Sequence, residues 1–300
     1  MTILAAIVTH NRSALLERCI DQVLAQTRPP DGLMVINNGS TDDTEAMLRR
    51  RGVPFITQPN AGGAGGFNRA IRYALENGFD SVWLMDDDGY PDVGALAILA
   101  ELMVEGVACA SSVILREDQH SHLVFPFPVL GPEGHPVLFA WPRKIHTLAK
   151  LKAARPDGTY PIASMFNGAL VSTDAVRRVG NVDTSFFIFG DEVDFGIRLR
   201  SCGRTLSHVD ARHYHPAVEK RPLTDLKVYY FIKNTFIIND RYYDRPRLRN
   251  LLTIIIILFR VTARNGLKQG LSFAVGRRNA LVRKAMTRGL RRQIGADFDS

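Results

Sequence analysis

The 300-residue sequence has few cysteines, and their spacing excludes several classes of site. Cys19, Cys109 and Cys202 are far apart and odd in number, and none stands in a CxxC pair. A disulfide scaffold, a CxxC metal site and a dithiol redox centre are therefore excluded. We interpret the three thiols as small buried apolar side chains in a reducing compartment.

Long hydrophobic runs are also absent. The longest aliphatic stretch is LLTIIIILF at residues 251–259, far short of the roughly 20 apolar residues that a spanning helix needs. We therefore predict no transmembrane helix. The chain starts MTILAAIVTHNR, without a basic leader or a cleavage site, so we expect no secretory signal and a cytoplasmic protein.

Acidic residues are scarce in the last sixty positions. Residues 1–240 carry 24 Lys and Arg against 27 Asp and Glu, whereas residues 241–300 carry 14 against 3. The net charge of +8 thus comes from the tail, which argues against a nucleic-acid groove over the body of the fold. Residues 274–294 predict a basic amphipathic helix, which either lies on an anionic membrane surface or packs on the rest of the protein.

Short apolar runs alternate with helical patterns over the first ninety residues. The runs are ILAAIVTH, GLMVINN, PFITQ and SVWLM, and RSALLERCIDQVLAQ between the first two has apolar residues at helical spacing. This alternation predicts an α/β fold whose parallel sheet is covered on both faces. Ligands of such sheets bind at the carboxyl ends of the strands, where the polar clusters of this sequence stand. Residues 110–165 predict only irregular structure or edge strands.

Three carboxylates in a row, Asp86, Asp87 and Asp88, follow the run SVWLM. Like charges repel, and an unpaired carboxylate is costly to bury. If the strand continues, Asp86 and Asp88 point one way and Asp87 the other, so that two of them can share a hard divalent cation. The alternative is a solvated acidic loop.

The segment NAGGAGGFNRA at residues 60–70 is dense in glycine. Glycine lets the backbone approach a ligand closely, although a loose turn would have the same composition. The segment fits neither the dinucleotide-binding GxGxxG pattern nor the Walker pattern.

The ordered set of motifs resembles a known family. VTHNR, VINNGSTDDT, QPNAGGAGGFNRA, WLMDDDG, FNGALVS, FIFGDEVDFGIRLR and ARHYH occur in this order within residues 2–235. Together they resemble the family-two glycosyltransferases of the GT-A fold. The NxGGxGGF element, the triple aspartate and YYFIKN at residues 229–234 are most similar to the bacterial galactofuranosyltransferase and rhamnosyltransferase branch, the former more closely.

The resemblance implies a Rossmann-like, mostly parallel GT-A sheet with helices on both faces. Residues 1–240 would form the catalytic domain, with a nucleotide-binding half over 1–110 and an acceptor and catalytic half over 111–240. Residues 241–300 would be a C-terminal basic helical extension.

The resemblance also assigns a nucleotide-sugar pocket to residues at the strand ends. His10 would stack on a uracil or thymine ring, and Asn37 stands where many relatives have Asp, which leaves the preferred base open. The residues assigned to the pocket are Thr9, His10, Arg12, Asn37, Asp42, Asn60, Gly62, Gly63, Gly65, Gly66 and Asp87.

The metal site implied by the resemblance holds Mn²⁺ or Mg²⁺, which would bridge the donor diphosphate. Asp86 and Asp88 are its carboxylate ligands, and His215 completes it. In a strand, His213 would share the face of His215, and we interpret His213 as a structural or supporting histidine.

The resemblance places the catalytic acids in GDEVDF. By alignment Glu192 takes the position of the base, where Asp is commoner, and Asp191 is the second choice. Asp194 is the third acid of the motif, or forms an ordinary helical ion pair with Arg198, four residues on. Clustering of the acids should raise the pKa of the base more than the helix N-terminus lowers it.

The predicted activity is an inverting, metal-dependent transfer of galactofuranose from UDP-galactofuranose to a glycan or lipid-linked acceptor in bacterial cell-envelope polysaccharide synthesis. The expected partners are the donor, that acceptor and an anionic membrane surface on the inner face of the cell membrane, but no nucleic acid. The alternatives are a rhamnosyltransferase with a dTDP-rhamnose donor, a sugar-nucleotide-binding module without turnover, and a nucleotidyltransferase.

Overall fold

Strands and helices alternate along the first hundred residues of the computed structural model, in the predicted order. The structure describes residues 1–132, 134–139, 141–218 and 221–298. The strands are β1 (Ile3–Thr9), β2 (Gly32–Asn37), β3 (Phe55–Thr57), β4 (Ser81–Asp86), β5 (Tyr90–Pro91), β6 (Val107–Arg116), β7 (His122–Pro128), β8 (Lys144–Thr147), β9 (Thr159–Tyr160), β10 (Asn167–Ser172) and β11 (Arg204–His215). The helices are α1 (Ser13–Leu24), α2 (Thr44–Arg51), α3 (Gly62–Glu76), α4 (Ala95–Leu102), α5 (Leu148–Ala154), α6 (Thr173–Val179), α7 (Asp191–Cys202), α8 (Asp225–Tyr242), α9 (Pro246–Asn265), α10 (Leu267–Ala274) and α11 (Asn279–Leu290).

The chain divides into two compact units. The first comprises Met1–Val182 and Phe195–Ala217, and the second comprises Asp183–Asp194 and Val218–Ser300. The predicted functional division at residue 240 stays a prediction. That residue lies inside α8, a helix of the second unit.

The first unit is built on one sheet with the strand order β3-β2-β1-β4-β10-β6-β11-β5. The pairings among β1, β2, β3 and β4 are all parallel, and β10 is antiparallel to both of its neighbours. The register places Thr9 beside Asn37 and Val8 beside Asp86. The carboxyl ends of β1, β2 and β4 therefore meet at one edge, as the sequence predicts.

Alternate residues of β1 enter two different cores, one on each face of the sheet. Leu4, Ala6 and Val8 pack in the cluster that contains apolar residues of α3. Ile3 and Ile7 pack in the cluster that contains those of α1 and α4. Helices thus cover both faces, and the predicted α/β fold class is confirmed.

Gly66 allows α3 to lie close to β1. A Cβ at Gly66 would overlap the Val8 side chain, whereas a Cβ at Gly63, in the same helix, would have no heavy atom within 4 Å. Close packing therefore explains why position 66 is a glycine, but it does not explain the glycine at position 63.

Gly66→Ala is expected to lower the free energy of unfolding by about 1–3 kcal/mol, because it overpacks a filled core. Gly63→Ala is the matched control and should be neutral or stabilising by up to about 1 kcal/mol, since alanine favours the helix and the space is open. Urea unfolding of both variants measures the difference. Equal stabilities would contradict the close packing.

The prediction for residues 110–165 is wrong at its start. β6 is a ten-residue strand between β10 and β11, and all but its last residue are buried. Its sequence, VACASSVILR, contains small polar residues that lowered its strand signal. Ser111 and Ser207 hydrogen-bond to each other at 2.8 Å, so these hydroxyl groups are satisfied inside the sheet.

The second unit has its own helical core. Apolar residues of α8 pack with those of α9, α10 and α11. Lys233 Nζ donates to Asp297 Oδ2 at 2.5 Å, and the Tyr229 hydroxyl donates to the same oxygen at 3.0 Å. This pairing neutralises a buried lysine and ties residues near the C-terminus to α8.

The helix predicted over 274–294 is observed as α11, residues 279–290, preceded by α10. Val282 and Ala285 are buried in the core of the unit, and Leu281 and Met286 pack against it. The sequence predicted that this helix lies either on a membrane or against the rest of the protein. Packing on the protein accounts for its apolar side. Within the described residues, no helix combines the length and apolar character needed to span a bilayer.

Candidate functional site

The three carboxylates of the acidic triplet converge at the end of β4. The strand ends at Asp86, and a turn carries Asp87 and Asp88. One carboxylate oxygen from each residue lies within 4.8 Å of the others. The predicted alternation of the three side chains is wrong, because it required an extended backbone beyond Asp86.

Asp87 is buried and braces the loop that follows β1. Its carboxylate accepts hydrogen bonds from Thr9 Oγ1 at 2.7 Å, from the His10 backbone N–H at 3.3 Å and from Arg12 Nη1 at 2.8 Å. Arg12 Nη1 also donates to Asp88 Oδ2 at 2.8 Å. One guanidinium therefore bridges two carboxylates, and Thr9 and Arg12 both lie at the acidic cluster.

His215 lies on the other side of Asp88. Its Nε2 is 3.1 Å from Asp88 Oδ1, and its Nδ1 is 2.6 Å from the carbonyl oxygen of Pro216. The carbonyl can only accept, so Nδ1 carries the proton and donates it to Pro216. In the neutral ring Nε2 then presents a lone pair towards Asp88.

The pKa values of the cluster move in opposite directions. Burial, followed by the charges of Asp87 and Asp88, raises the pKa of Asp86 to about 7. Burial acts to raise the pKa of Asp88, but the hydrogen bond and charge of His215, with the charge of Arg12, lower it overall. Burial acts to lower the pKa of His215, but Asp88 raises it overall. The raised pKa of Asp86 means that three simultaneous negative charges are unfavourable at this turn when Arg12 and His215 alone oppose them.

The donor set fits a divalent cation. With Nδ1 bonded to Pro216, Nε2 of a neutral His215 and Oδ1 of Asp88 are two acceptors 3.1 Å apart, which is stable only with a proton or a cation between them. A histidine whose second nitrogen donates to a carbonyl is the usual form of a metal-ligating histidine. Carboxylate oxygens suit both Mn²⁺ and Mg²⁺, and an imidazole nitrogen among them favours Mn²⁺, the softer of the two ions.

His213 has a different environment. It is fully buried, neither ring nitrogen has a hydrogen-bond partner among the described residues, and Gly168 and Gly89 lie against the ring. Burial first, then the charge of His215, lowers its pKa to about 3. The ring is therefore neutral at physiological pH.

The residues assigned to the nucleotide lie at the ends of β1 and β2, on the loops after β1, β2 and β3, and in the first turns of α3. Asp87, on the turn after β4, is the exception. His10 is exposed, and its Nδ1 is 3.0 Å from the carbonyl oxygen of Asn38. Asn37 is fully buried, accepts from the Ser40 backbone N–H at 3.0 Å and donates to Thr57 Oγ1 at 3.2 Å. The amide of Asn37 therefore organises the loop, and a nucleobase would share it with these partners.

Asp42 and Asn60 also have partners within these loops. Asp42 accepts from the backbone N–H groups of Ser13 and Thr44, at 3.2 and 3.1 Å, so it joins the starts of α1 and α2. Asn60 Oδ1 accepts from the Gly62 backbone N–H at 3.0 Å. Their contacts with a nucleotide stay predictions.

The four glycines of the 60–70 segment separate into two pairs. Gly62 has a φ of +68° and, like Gly63, has open space where a Cβ would stand. Gly65 and Gly66 are buried and lie against Ala61 and Val8. The first pair leaves the backbone at the start of α3 accessible, whereas the second pair is explained by packing.

Sequence reasoning missed Asn38, which joins the three loops. Its Nδ2 donates to Asn60 Oδ1 at 3.1 Å and to the Gly62 carbonyl at 2.9 Å, and its Oδ1 accepts from Gln58 Nε2 at 3.0 Å and from the Ala61 N–H at 3.1 Å. It is nearly fully buried. An asparagine directly after a buried strand is a signal for such a hub.

Arg18 was also missed. It donates to Glu117 Oε1 at 2.6 Å and to the Asp88 carbonyl at 3.3 Å, and its guanidinium lies 4.4 Å from the centre of the Tyr90 ring. Arg18 lies in a predicted helix, where the sequence pattern alone indicates an ordinary surface arginine. Only the fold brings it to the backbone of the acidic turn.

The acids of GDEVDF form the first turn of α7, as predicted. Burial raises the pKa of Asp191. The Glu192 side chain is exposed at the surface, although many protein atoms lie around it. This desolvation, followed by the charge of Asp191, raises the pKa of Glu192 to about 7. Glu192 therefore has the protonation behaviour of a base that works near neutral pH.

Asp194 is buried within the second unit, where α8 supplies its partners. The Tyr242 hydroxyl donates to Asp194 Oδ1 at 2.6 Å, and Arg241 Nη1 lies 3.6 Å from the same oxygen. Asn234 of α8 donates to the carbonyls of Phe187 and Phe189, which precede α7. These contacts give Asp194 and the motif YYFIKN a role in holding the start of α7.

Comparison with known proteins gives a consistent result. A family model described as "Glycosyl transferase family 2" matches residues 5–150. The chain is 34% identical over 219 residues to galactofuranosyltransferase GlfT1 of Mycolicibacterium smegmatis, covering 71% of this chain and 70% of that protein. It is 29% identical over 215 residues to N-acetylglucosaminyl-diphospho-decaprenol L-rhamnosyltransferase of Mycobacterium tuberculosis, covering 65% and 69%.

Two solved structures are similar in fold. The mannosyltransferase PcManGT from Pyrobaculum calidifontis, determined in complex with GDP-Man and Mn²⁺, has a TM-score of 0.53 at 19% identity, over 96% of this chain and 83% of that one. Residues 1–349 of S. aureus TarS have a TM-score of 0.57 at 14% identity, over 97% and 80%. At these identities the two structures bear on the fold alone.

Proposed function

This chain belongs to glycosyl transferase family 2 and is a glycosyltransferase of the GT-A fold, and we propose that it is an inverting, metal-dependent enzyme that moves galactofuranose from UDP-galactofuranose to a glycan or lipid-linked acceptor. The proposed sugar is the one in the name of the 34% identical relative, a galactofuranosyltransferase, and the UDP carrier is the one that the sequence resemblance implies. The proposed setting is cell-envelope polysaccharide synthesis at the inner face of the membrane.

The observation that supports metal dependence is the convergence of three carboxylates and His215 at one edge of the sheet. Asp86, Asp88 and His215 would hold Mn²⁺ or Mg²⁺. When bound, such an ion supplies positive charge that stabilises the negative charge growing on a leaving diphosphate. Arg12 and Thr9 hold Asp87 in place beside these ligands.

The loops after β1, β2 and β3 would bind the nucleotide. His10 offers an exposed ring for stacking on the base, and the buried amide of Asn37 holds Ser40 and Thr57 at the loops that would line the pocket. The open backbone at Gly62 and Gly63 leaves room for the sugar and diphosphate. Asn38 fixes the relative positions of the loops, so nucleotide binding depends on it indirectly.

Glu192 is the proposed base. In an inverting transfer the acceptor hydroxyl attacks the anomeric carbon from the face opposite the diphosphate and loses its proton to the base. The raised pKa of Glu192 makes its carboxylate basic enough to take that proton near neutral pH. Asp191, its neighbour in the same turn, stays the second choice.

A panel of nucleotide sugars tests the proposed donor. Release of nucleoside diphosphate is expected to be fastest with UDP-galactofuranose, to require Mn²⁺ or Mg²⁺ and to stop with EDTA. Faster release from dTDP-rhamnose would favour the rhamnosyltransferase alternative, to which the 29% identical relative points and which Asn37 leaves open. Binding without release from any donor would favour the non-catalytic module.

A further inference from the structure

Helices α9 and α10 carry large apolar side chains that no described part of the second unit covers. On α9 these residues are spaced by four, which places them on one helical side, and the same spacing recurs from α10 into the residue that follows it. Each is more than half exposed, from 52% at Leu271 to 81% at Val275. We call this surface the α9–α10 apolar face: Leu251, Ile255, Phe259, Leu267, Leu271 and Val275.

The opposite side of each helix already serves the core. Thr253, Ile257 and Val261 of α9 are buried, as are Gly270 and Phe273 of α10. The two helices pack against each other, with Gly270 in close contact with Thr262. The fold therefore does not need these exposed side chains for its core, and large apolar residues exposed on one side of a helix are typical of interaction sites.

The charge of the same segment has a single sign. Residues 246–277 contain six Lys and Arg and no Asp or Glu. Arg249 pairs with Asp244. Among the described residues, none of the other five has a carboxylate partner: Arg247, Arg260, Arg264, Lys268 and Arg277. Exposed apolar side chains and basic residues in one segment match an anionic lipid bilayer, whose headgroups bind the cations while the interfacial acyl region takes the apolar groups.

We propose that the α9–α10 apolar face docks this protein on an anionic membrane, with its apolar side chains in the interfacial zone and its basic residues on acidic headgroups. The inference rests on the proposed function, because a lipid-linked acceptor has to be met at a membrane surface. It replaces α11 as the membrane-facing element, since the apolar side of α11 is buried.

A second copy of the chain suits this face less well. A twofold contact would bring the same five basic side chains from both copies together, and like charges across an interface oppose association. A bilayer containing acidic lipids provides the opposite charge.

Flotation of the full chain with vesicles of phosphatidylcholine, with and without phosphatidylglycerol, tests the proposal. The unchanged protein should float only with the acidic vesicles. The combined variant Ile255→Ser, Phe259→Ser and Leu271→Ser should bind at least about tenfold more weakly, because it removes the exposed apolar area. The combined variant Arg264→Gln, Lys268→Gln and Arg277→Gln should lose about tenfold to a hundredfold, specifically on acidic vesicles.

A matched control replaces exposed apolar residues of the first unit. Leu24, Val93 and Val104 are similarly exposed, and changing all three to Ser should leave flotation within about twofold of the unchanged protein. The proposal is overturned if the unchanged protein does not float, or if it and the Ile255, Phe259 and Leu271 variant float equally. The proposal is also overturned if the Ile255, Phe259 and Leu271 variant floats like the unchanged protein but has a smaller molecular mass by light scattering. That result would indicate that the face serves self-association.

Donor hydrolysis in vesicle-free buffer separates this test from that of the proposed function. All three variants should hydrolyse the donor like the unchanged protein, because none changes a residue assigned to the site. A protein that floats as expected but releases nucleoside diphosphate from no donor would contradict the proposed function alone. An active protein that does not float would contradict the docking face alone.

Discussion

Glu192→Gln is expected to abolish sugar transfer while leaving donor binding intact. The amide keeps the size of the side chain but cannot accept the acceptor's proton, and loss of a general base costs about 10²–10⁴-fold in rate. Turnover with acceptor measures the first effect, and calorimetric titration with donor and Mn²⁺ measures the second. Full activity of the variant would remove Glu192 from the mechanism.

Asp191→Asn is the matched control, because the two acids are adjacent and only one can be the base. If Glu192 is the base, Asp191→Asn should remain active. The base works deprotonated, so kcat/KM should rise with pH up to about 7, the pKa of Glu192, and level off above it. The charge of Asp191 contributes to that raised pKa, so Asp191→Asn should move the rise to lower pH. Loss of activity in Asp191→Asn, with activity kept in Glu192→Gln, would exchange the two roles.

Asp88→Ala is expected to weaken metal-dependent donor binding by about a hundredfold or more. Loss of a residue that only supports a metal ligand lowers metal affinity about 10–100-fold, and loss of a ligand itself should cost at least as much. Asp88 contacts both Arg12 and His215, so its removal would take one proposed ligand away, leave His215 without its carboxylate and leave Arg12 with Asp87 alone. In the unchanged protein EDTA should produce a similar loss, and it should have little further effect on the variant.

Two companion variants make that result interpretable. Asp88→Asn keeps the shape of the turn but removes the charge, so it should lose affinity without losing stability in thermal unfolding. Asp118→Ala removes an exposed acid of the first unit that pairs with Arg116, and it should bind the donor normally. Unchanged affinity of Asp88→Ala, with and without EDTA, would contradict the metal site.

Much of the first unit could be predicted from the sequence, because the information is local. The apolar runs that form β1, β2 and β4 and the helical pattern of α1 appear in order along the chain. In a parallel sheet the carboxyl ends of such strands share one edge, so the order of the strands alone makes the polar residues after them a candidate site. This reasoning selected the acidic triplet, Asn37 and the loop containing Asn60.

The geometry of the acidic turn did not follow from the sequence. Alternation along an extended strand would have separated Asp87 from Asp86 and Asp88, but the chain turns at Asp86. The turn depends on partners distant in sequence. Thr9 and Arg12 hold Asp87, and His215 holds Asp88. Sequence spacing does not report such contacts.

In residues 241–300, too, the sequence predicts local structure but not the contacts between distant residues. The composition of this segment predicts basic amphipathic helices, and this much the sequence determined by itself, because helical periodicity and charge are properties of neighbouring residues. Which apolar side is free was decided by packing, since α11 buries its apolar side in the core of the second unit while α9 and α10 leave theirs exposed. Burial depends on what lies opposite each helix, and residues far apart along the chain supply that surface.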